Sequence, residues 1–274
     1  TALPSIMKDF GVTASTAQWL TSIYSLAMGV MVPATAYLMK RFPTKKLFLW
    51  AVLLFPAGTV LSMTALVFPV MLSGRIIQAV GNGMVLPMTQ VVVLTIYPEE
   101  QRGSVMGIYG LAAGAAPVVA PTIAGVIIDI WSWRAIFAIV LVIVAVDILM
   151  ALKYMRTVNK PEKVSFDFLS MCLCAVGFCG LLIGAGNIGR GSFFSTQIGL
   201  PITVGALALL LFSTRQLKSK EPFLELRILK VKDYFLAVVI SMLLYAVMMA
   251  GSTLFPIYIQ TVCQRSAAVS GLIM

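Results

Sequence analysis

The chain has 274 residues, 60% of them hydrophobic and 11% charged, with a mean hydropathy of +0.99; soluble domains carry about 25% charged residues, so a water-soluble fold is excluded. It has no histidine, which removes the commonest general base and the commonest metal ligand. Apolar runs of about 20 residues, enough to cross a bilayer core as a helix, recur along it, and the short alternating segments of a membrane β-barrel do not occur. The composition therefore predicts an all-α polytopic membrane protein.

In chain order, eight complete spans are expected near 17–39, 47–66, 69–96, 104–128, 135–152, 166–188, 197–214 and 234–260. Residues 1–6 read as the end of an earlier span and 267–274 as the start of a later one, so a fragment of a longer protein is expected. Cys172, Cys174 and Cys179 share one apolar run and Cys263 lies far from them. That spacing reads as membrane packing, with no metal site or disulfide framework.

The net charge of +10 follows the spans rather than a nucleic-acid footprint. Fifteen of the twenty basic residues fall in alternate loops: the group Lys40, Arg41, Lys45 and Lys46, then Arg102, the stretch 153–163 and the stretch 215–232. By the positive-inside rule that side is cytoplasmic. No nucleic-acid partner is expected; the bilayer is. The loop 215–232, RQLKSKEPFLELRILKVK, mixes basic and apolar residues. It reads either as an amphipathic segment on the inner leaflet or as a solvated linker.

The stretch 110–127, GLAAGAAPVVAPTIAGVI, sets two prolines four residues apart among glycine and alanine. Proline inside a helix costs about 3 kcal/mol and glycine about 1 kcal/mol relative to alanine. At 100° per residue, Gly103, Gly107, Gly110, Gly114, Pro117, Pro121 and Gly125 fall within an arc of roughly 80°. Small residues let membrane helices approach closely. This face is therefore expected to dock tightly on another helix, at a bend made by the prolines.

Pro117, Pro121 and Gly125 within APVVAPTIAG give this stretch the look of the span-5 antiporter motif of the major facilitator superfamily, in its doubled-proline form. The chain resembles the 14-span drug:proton antiporter branch of that superfamily. Ala116, Ala120 and Ala124 stand where the family usually has glycine. QWLTSIYSLAMGVMVPATAYL resembles span 2, LSGRIIQAVGNGMVLP span 4, YPEEQRGSVMG the joint before span 5 and WSWRAIF the turn before span 6. SFDFLSMCLCAVGFCGLL is similar to the first of two helices inserted between the bundles. The resemblance implies an N-terminal bundle over 1–152, the inserted pair over 153–214, a cytoplasmic linker over 215–232 and the start of a second bundle over 233–274. The inner loop YLMKRFPTKKL departs from the family: Ala36, Lys40 and Pro43 replace a glycine, an aspartate and a glycine.

Arg75 is the sharpest single residue, because a charge inside a span costs at least ~2.5 kcal/mol and by default marks function. Gln78, Asn82 and Thr89 lie within about 60° of it on a helical projection, a polar stripe facing a cavity or partner helix. The competing reading is snorkelling of a long stem to the outer interface. In related antiporters this arginine assists proton movement. A second polar face, Gln18, Thr21, Ser22, Ser25 and Gly29, either lines the same cavity or supplies interhelical hydrogen bonds. Asp147 is the one carboxylate expected within a span. It is either a buried proton carrier or, as its depth near the cytoplasmic end favours, an interfacial group.

The resemblance implies proton-coupled export of hydrophobic or cationic compounds by alternating access, at the cytoplasmic membrane. The proton gradient is the energy source, no cofactor is involved, and the full-length protein is expected to be monomeric. The family's key acid on span 1 would fall upstream of Thr1. Export of a physiological solute such as a peptide, lipid or amino acid shares every motif. A polytopic enzyme is disfavoured by the lack of histidine.

Overall fold

The computed structural model describes residues 2–162, 167–188, 195–219, 222 and 224–262, and the secondary structure among them is helical. The helices are α1 Leu3–Phe10, α2 Ala14–Arg41, α3 Thr44–Met63, α4 Phe68–Ile96, α5 Glu99–Ile130, α6 Trp133–Tyr154, α7 Phe168–Gly186, α8 Gly199–Lys218 and α9 Lys232–Thr261, with a 3₁₀ turn Leu226–Lys230 before α9. Each expected span corresponds to one helix from α2 to α9, with ends differing by a few residues. Among the described residues, six (α2, α3, α4, α6, α7 and α8) are long and apolar enough to cross a membrane by length and composition alone. The other two, α5 and α9, have 32 and 30 residues. The expected start of a further span at 267–274 lies outside the described residues.

Helix ends follow local chemistry. Thr13 caps α2 by accepting from the Thr16 amide at 3.3 Å, and Asp167 caps α7 by accepting from the Ser170 amide at 3.1 Å, each satisfying an amide left free by the helix start. Glu99 and Glu100 sit in the first turn of α5, where the helix dipole favours negative charge. Gly11 ends α1 at φ +62°, a left-handed conformation that glycine adopts without strain.

The most extensive packing is α3 against α4 and α7 against α8, followed by α4 against α2; α6 lies on α3. Glycine sets the first contact. A Cβ on Gly58 would come 2.5 Å from the Gly74 carbonyl oxygen and 2.6 Å from the Gln78 amide nitrogen. Gly81 meets α3 in the same way, its added Cβ 2.7 Å from the Ala51 carbonyl oxygen. The α7–α8 pair repeats the device: a Cβ on Gly180 would lie 2.5 Å from the Pro201 carbonyl oxygen and 2.8 Å from Gly205 Cα. Such approaches replace the hydrophobic drive that lipid removes. The pair then rests on α2, where Cys174 and Phe212 pack with Ala34 and Tyr37.

Among the described residues the glycine stripe of α5 has no helix against it. α5 runs as one helix beside α4 and α6, but an added Cβ at Gly103, Gly107, Gly110, Gly114 or Gly125 meets nothing within 4 Å. The side chains of Pro117 and Pro121 lie outside the described ones.

At the end away from the basic loops, Asp9 ties α1 to α6. Its carboxylate accepts from Trp133 Nε1 at 2.8 Å and from Arg134 at 2.7 Å, while Phe10 stacks against Trp133 at 5.8 Å. The hydrogen bond from Trp133, then that from Arg134, outweighs partial desolvation and holds the Asp9 carboxyl below its usual 3.8. A depressed carboxyl stabilises the fold above its ordinary value, and that contribution is lost as pH falls through the lower, folded one. Thermal stability measured against pH is therefore expected to separate wild type from Asp9→Asn at neutral pH, the gap closing once pH drops below 3.8. A gap independent of pH would contradict the clasp.

Candidate functional site

Arg75 is the eighth residue of α4, roughly 10 Å along the helix at 1.5 Å per residue. Its side chain is engaged by α2 and by its own helix. Nε donates to the Leu20 carbonyl of α2 at 3.4 Å, and one terminal nitrogen donates to Gln78 Oε1 at 2.9 Å. The guanidinium carbon stands 4.3 Å from the centroid of the Tyr24 ring. Among the described ion pairs none involves Arg75. Its charge is balanced by a backbone carbonyl, an amide oxygen and a ring face, a set that stabilises a cation without neutralising it.

The partners are themselves bonded. Gln78, 2% exposed, donates from Nε2 to Thr59 Oγ1 of α3 at 2.7 Å. Asn82 donates to the Tyr24 hydroxyl at 2.9 Å and lies near Met28 Sδ at 3.7 Å. Among the described residues no buried side-chain nitrogen or oxygen lacks a partner. The network thus joins α2, α3 and α4 through Tyr24, Thr59, Arg75, Gln78 and Asn82, in the low-dielectric setting where satisfied polar groups specify one arrangement.

The expected stripe is therefore assembled in part. Gln78 and Asn82 join Arg75, but Thr89 does not: its hydroxyl donates to its own helix at the Val85 carbonyl, 2.9 Å away. The second polar face turns elsewhere. Gln18 and Ser22 line an open cavity of about 80 Å³ between α2 and α7, with Leu182, Ile183 and Asn187 on its other wall. Thr21 and Ser25 are exposed. That face lies around the helix from Leu20 and Tyr24, which meet Arg75. Asp147 is exposed on α6, near the basic end, and does not meet Arg75's network.

The basic loop between α2 and α3 is held by a residue the sequence did not single out. Asn159, in the segment after α6, donates to the Met39 and Phe42 carbonyls and accepts from the Thr44 amide at 2.8 Å and from the Thr44 hydroxyl. Glu162 adds a backbone bond to the Lys40 carbonyl at 2.8 Å. Lys45 donates to the Leu152 carbonyl at 3.1 Å, Lys46 lies over the Trp50 ring at 5.2 Å, and Arg41 donates to the Tyr37 hydroxyl at 2.8 Å. Lys40 is exposed. The loop that lacks the family's aspartate is thus fastened by an asparagine from a third segment.

Among the described residues no group of three His, Cys, Asp or Glu side chains converges as metal ligands would. The sequence profile of the Major Facilitator Superfamily matches residues 1–274. The chain is 40% identical over its whole length to YcnB of Bacillus subtilis, an uncharacterized MFS-type transporter, and covers 58% of that protein. It is 34% identical over its whole length to the lincomycin resistance protein LmrB of B. subtilis, covering 57%. It is 26% identical over 99% of its length to the multidrug export protein EmrB of Escherichia coli, covering 53%. The chain thus spans a little over half the length of these relatives.

Proposed function

Because the chain belongs to the Major Facilitator Superfamily, we propose that it forms part of a proton-coupled exporter of hydrophobic or cationic compounds at the cytoplasmic membrane. Multiple helices of spanning length make it a multi-pass membrane protein. The observation that carries the reading is Arg75, a cation held between α2 and α4 by groups that leave its charge intact. A fixed charge inside a span lowers the pKa of any carboxyl that approaches it, so it couples the protonation of such an acid to helix arrangement. The names of LmrB and EmrB support a drug substrate. The open stripe of α5 is suited to receive a second bundle, as alternating access between two halves requires.

The test uses the complete gene product in inverted vesicles carrying an inside-acid pH gradient, with lipophilic cations and antibiotics added singly. Substrate-induced collapse of the gradient is the expected result. No response across a broad panel, with the protein folded and inserted, would replace this reading with export of a physiological solute, which the 40% identity to an uncharacterized transporter leaves equally in keeping.

A further inference from the structure

We propose that Thr59 is a positioning residue for Arg75: by accepting from the far end of the buried Gln78 amide it holds in place the oxygen that faces the guanidinium. The inference rests on the reading of Arg75 given above and concerns a residue of α3 that does not touch Arg75 itself.

The argument is one of hydrogen count. A threonine hydroxyl has a single hydrogen and two lone pairs. That of Thr59 donates to the Phe55 carbonyl, one turn back in α3, at 2.8 Å. With its hydrogen on that carbonyl, Oγ1 is free to accept. Gln78 Nε2 approaches it at 2.7 Å, and both residues are buried, at 0% and 2% exposure. The guanidinium carries donors only, so it takes the Gln78 oxygen and leaves the NH₂ end to face α3. That oxygen accepts from Arg75 at 2.9 Å.

The reversed amide would set an NH₂ against the guanidinium, donor on donor, and would draw the Thr59 hydrogen off the Phe55 carbonyl, with no water to relieve the mismatch. A chain of bonds with one sense thus runs from Arg75 through Gln78 and Thr59 to the Phe55 carbonyl. The threonine is stiff at χ1 and back-bonded to its own helix. Its position is secured by the neighbouring Gly58, whose missing side chain lets α3 come within reach of Gln78. The result is a carbonyl dipole aimed at Arg75 and set by a helix on the far side of α4's buried face.

The experiment compares wild type, Thr59→Val, Thr59→Ala, Thr59→Ser and Arg75→Ala in the complete gene product in vesicles. Thr59→Val and Thr59→Ala are expected to lower the maximal rate of substrate-induced proton flux about tenfold, as the loss of one oriented bond to a charge implies. They should displace its pH profile while leaving KM within about twofold. Thr59→Ser restores both.

A wild-type pH profile in Thr59→Val and Thr59→Ala, or a serine variant as impaired as valine, would overturn the proposal and reduce Thr59 to packing. If Arg75→Ala itself leaves coupling intact, the reading of Arg75 fails, and a second measurement decides Thr59 independently. Solid-state NMR of the labelled guanidinium should show Arg75 N–H exchange about tenfold faster in Thr59→Ala than in wild type or Thr59→Ser. Equal exchange in all three overturns the proposal whatever transport does. Thr59→Ala adds no methyl against Gln78 and so serves if valine prevents folding.

Discussion

Gly74→Val is expected to lower the melting temperature by on the order of 10 °C. A Cβ there meets the Ser62 hydroxyl oxygen and comes 2.7 Å from the Gly58 carbonyl oxygen and 2.8 Å from the Ser62 amide nitrogen. Two of these are backbone atoms, which cannot swing aside as a side chain can, so α3 and α4 must separate. Overpacking of this kind costs about 1–3 kcal/mol. Separation also stretches the Gln78–Thr59 bond and leaves a buried amide unpaired, at about another 1–3 kcal/mol. A total of about 4 kcal/mol corresponds to a fall in melting temperature on the order of 10 °C. The control is Gly29→Val on α2, where an added Cβ meets nothing within 4 Å. It should change stability by less than about 1 kcal/mol, because valine and glycine differ little in helix propensity. Thermal unfolding in detergent reads both, and equal melting temperatures would refute the close approach of α3 and α4.

Asn159→Ala is expected to free the α2–α3 loop. The asparagine serves two helix ends from outside both: it donates to carbonyls at the end of α2 and accepts from the first amide of α3. Thr44 is fully buried, so its amide has no water to turn to when Oδ1 is removed. Loss of a cap costs about 1 kcal/mol and an orphaned buried donor about 1–3 kcal/mol. Local opening should then become easier by about 3 kcal/mol, on the order of a hundredfold in the open population. The loop is rich in trypsin sites, namely Lys40, Arg41, Lys45 and Lys46. Limited trypsin digestion from the basic side should therefore cut Asn159→Ala on the order of a hundredfold faster than wild type. Asn159→Asp keeps the acceptors, loses the donors and should fall between. Equal cleavage rates would show that the loop is held by something else.

What could be read from sequence followed from periodicity. The helices emerged from apolar run length because a bilayer imposes a fixed thickness. Gln78 and Asn82 could be placed near Arg75 because three positions on one helix face need only the 100° step. The same step misjudged Thr89, whose hydroxyl is satisfied within its own turn, a choice that no projection reveals. Thr59 was illegible for a different reason. It lies on another helix, one threonine in an apolar run, and its meaning depends on the register of α3 against α4. Asn159 lies in an irregular segment with no period at all. The glycines of α7, Gly177, Gly180 and Gly184, did carry a readable spacing. The doubled prolines of α5 drew the argument instead to a face that the described residues leave open.

The α7–α8 pair has a consequence for how the chain is put together. Its helices meet through their own glycines, and Arg215 closes their basic end with two hydrogen bonds to Asp167, at 3.0 and 3.1 Å. Gln216 donates to the Ser170 hydroxyl at 2.7 Å and accepts from the Leu224 amide at 3.1 Å. Its contacts with the rest are made chiefly on α2, and no member of the Arg75 network comes from it. A hairpin that satisfies its own polar groups is a self-contained unit of membrane insertion. Its removal would break none of the bonds that hold the arginine centre.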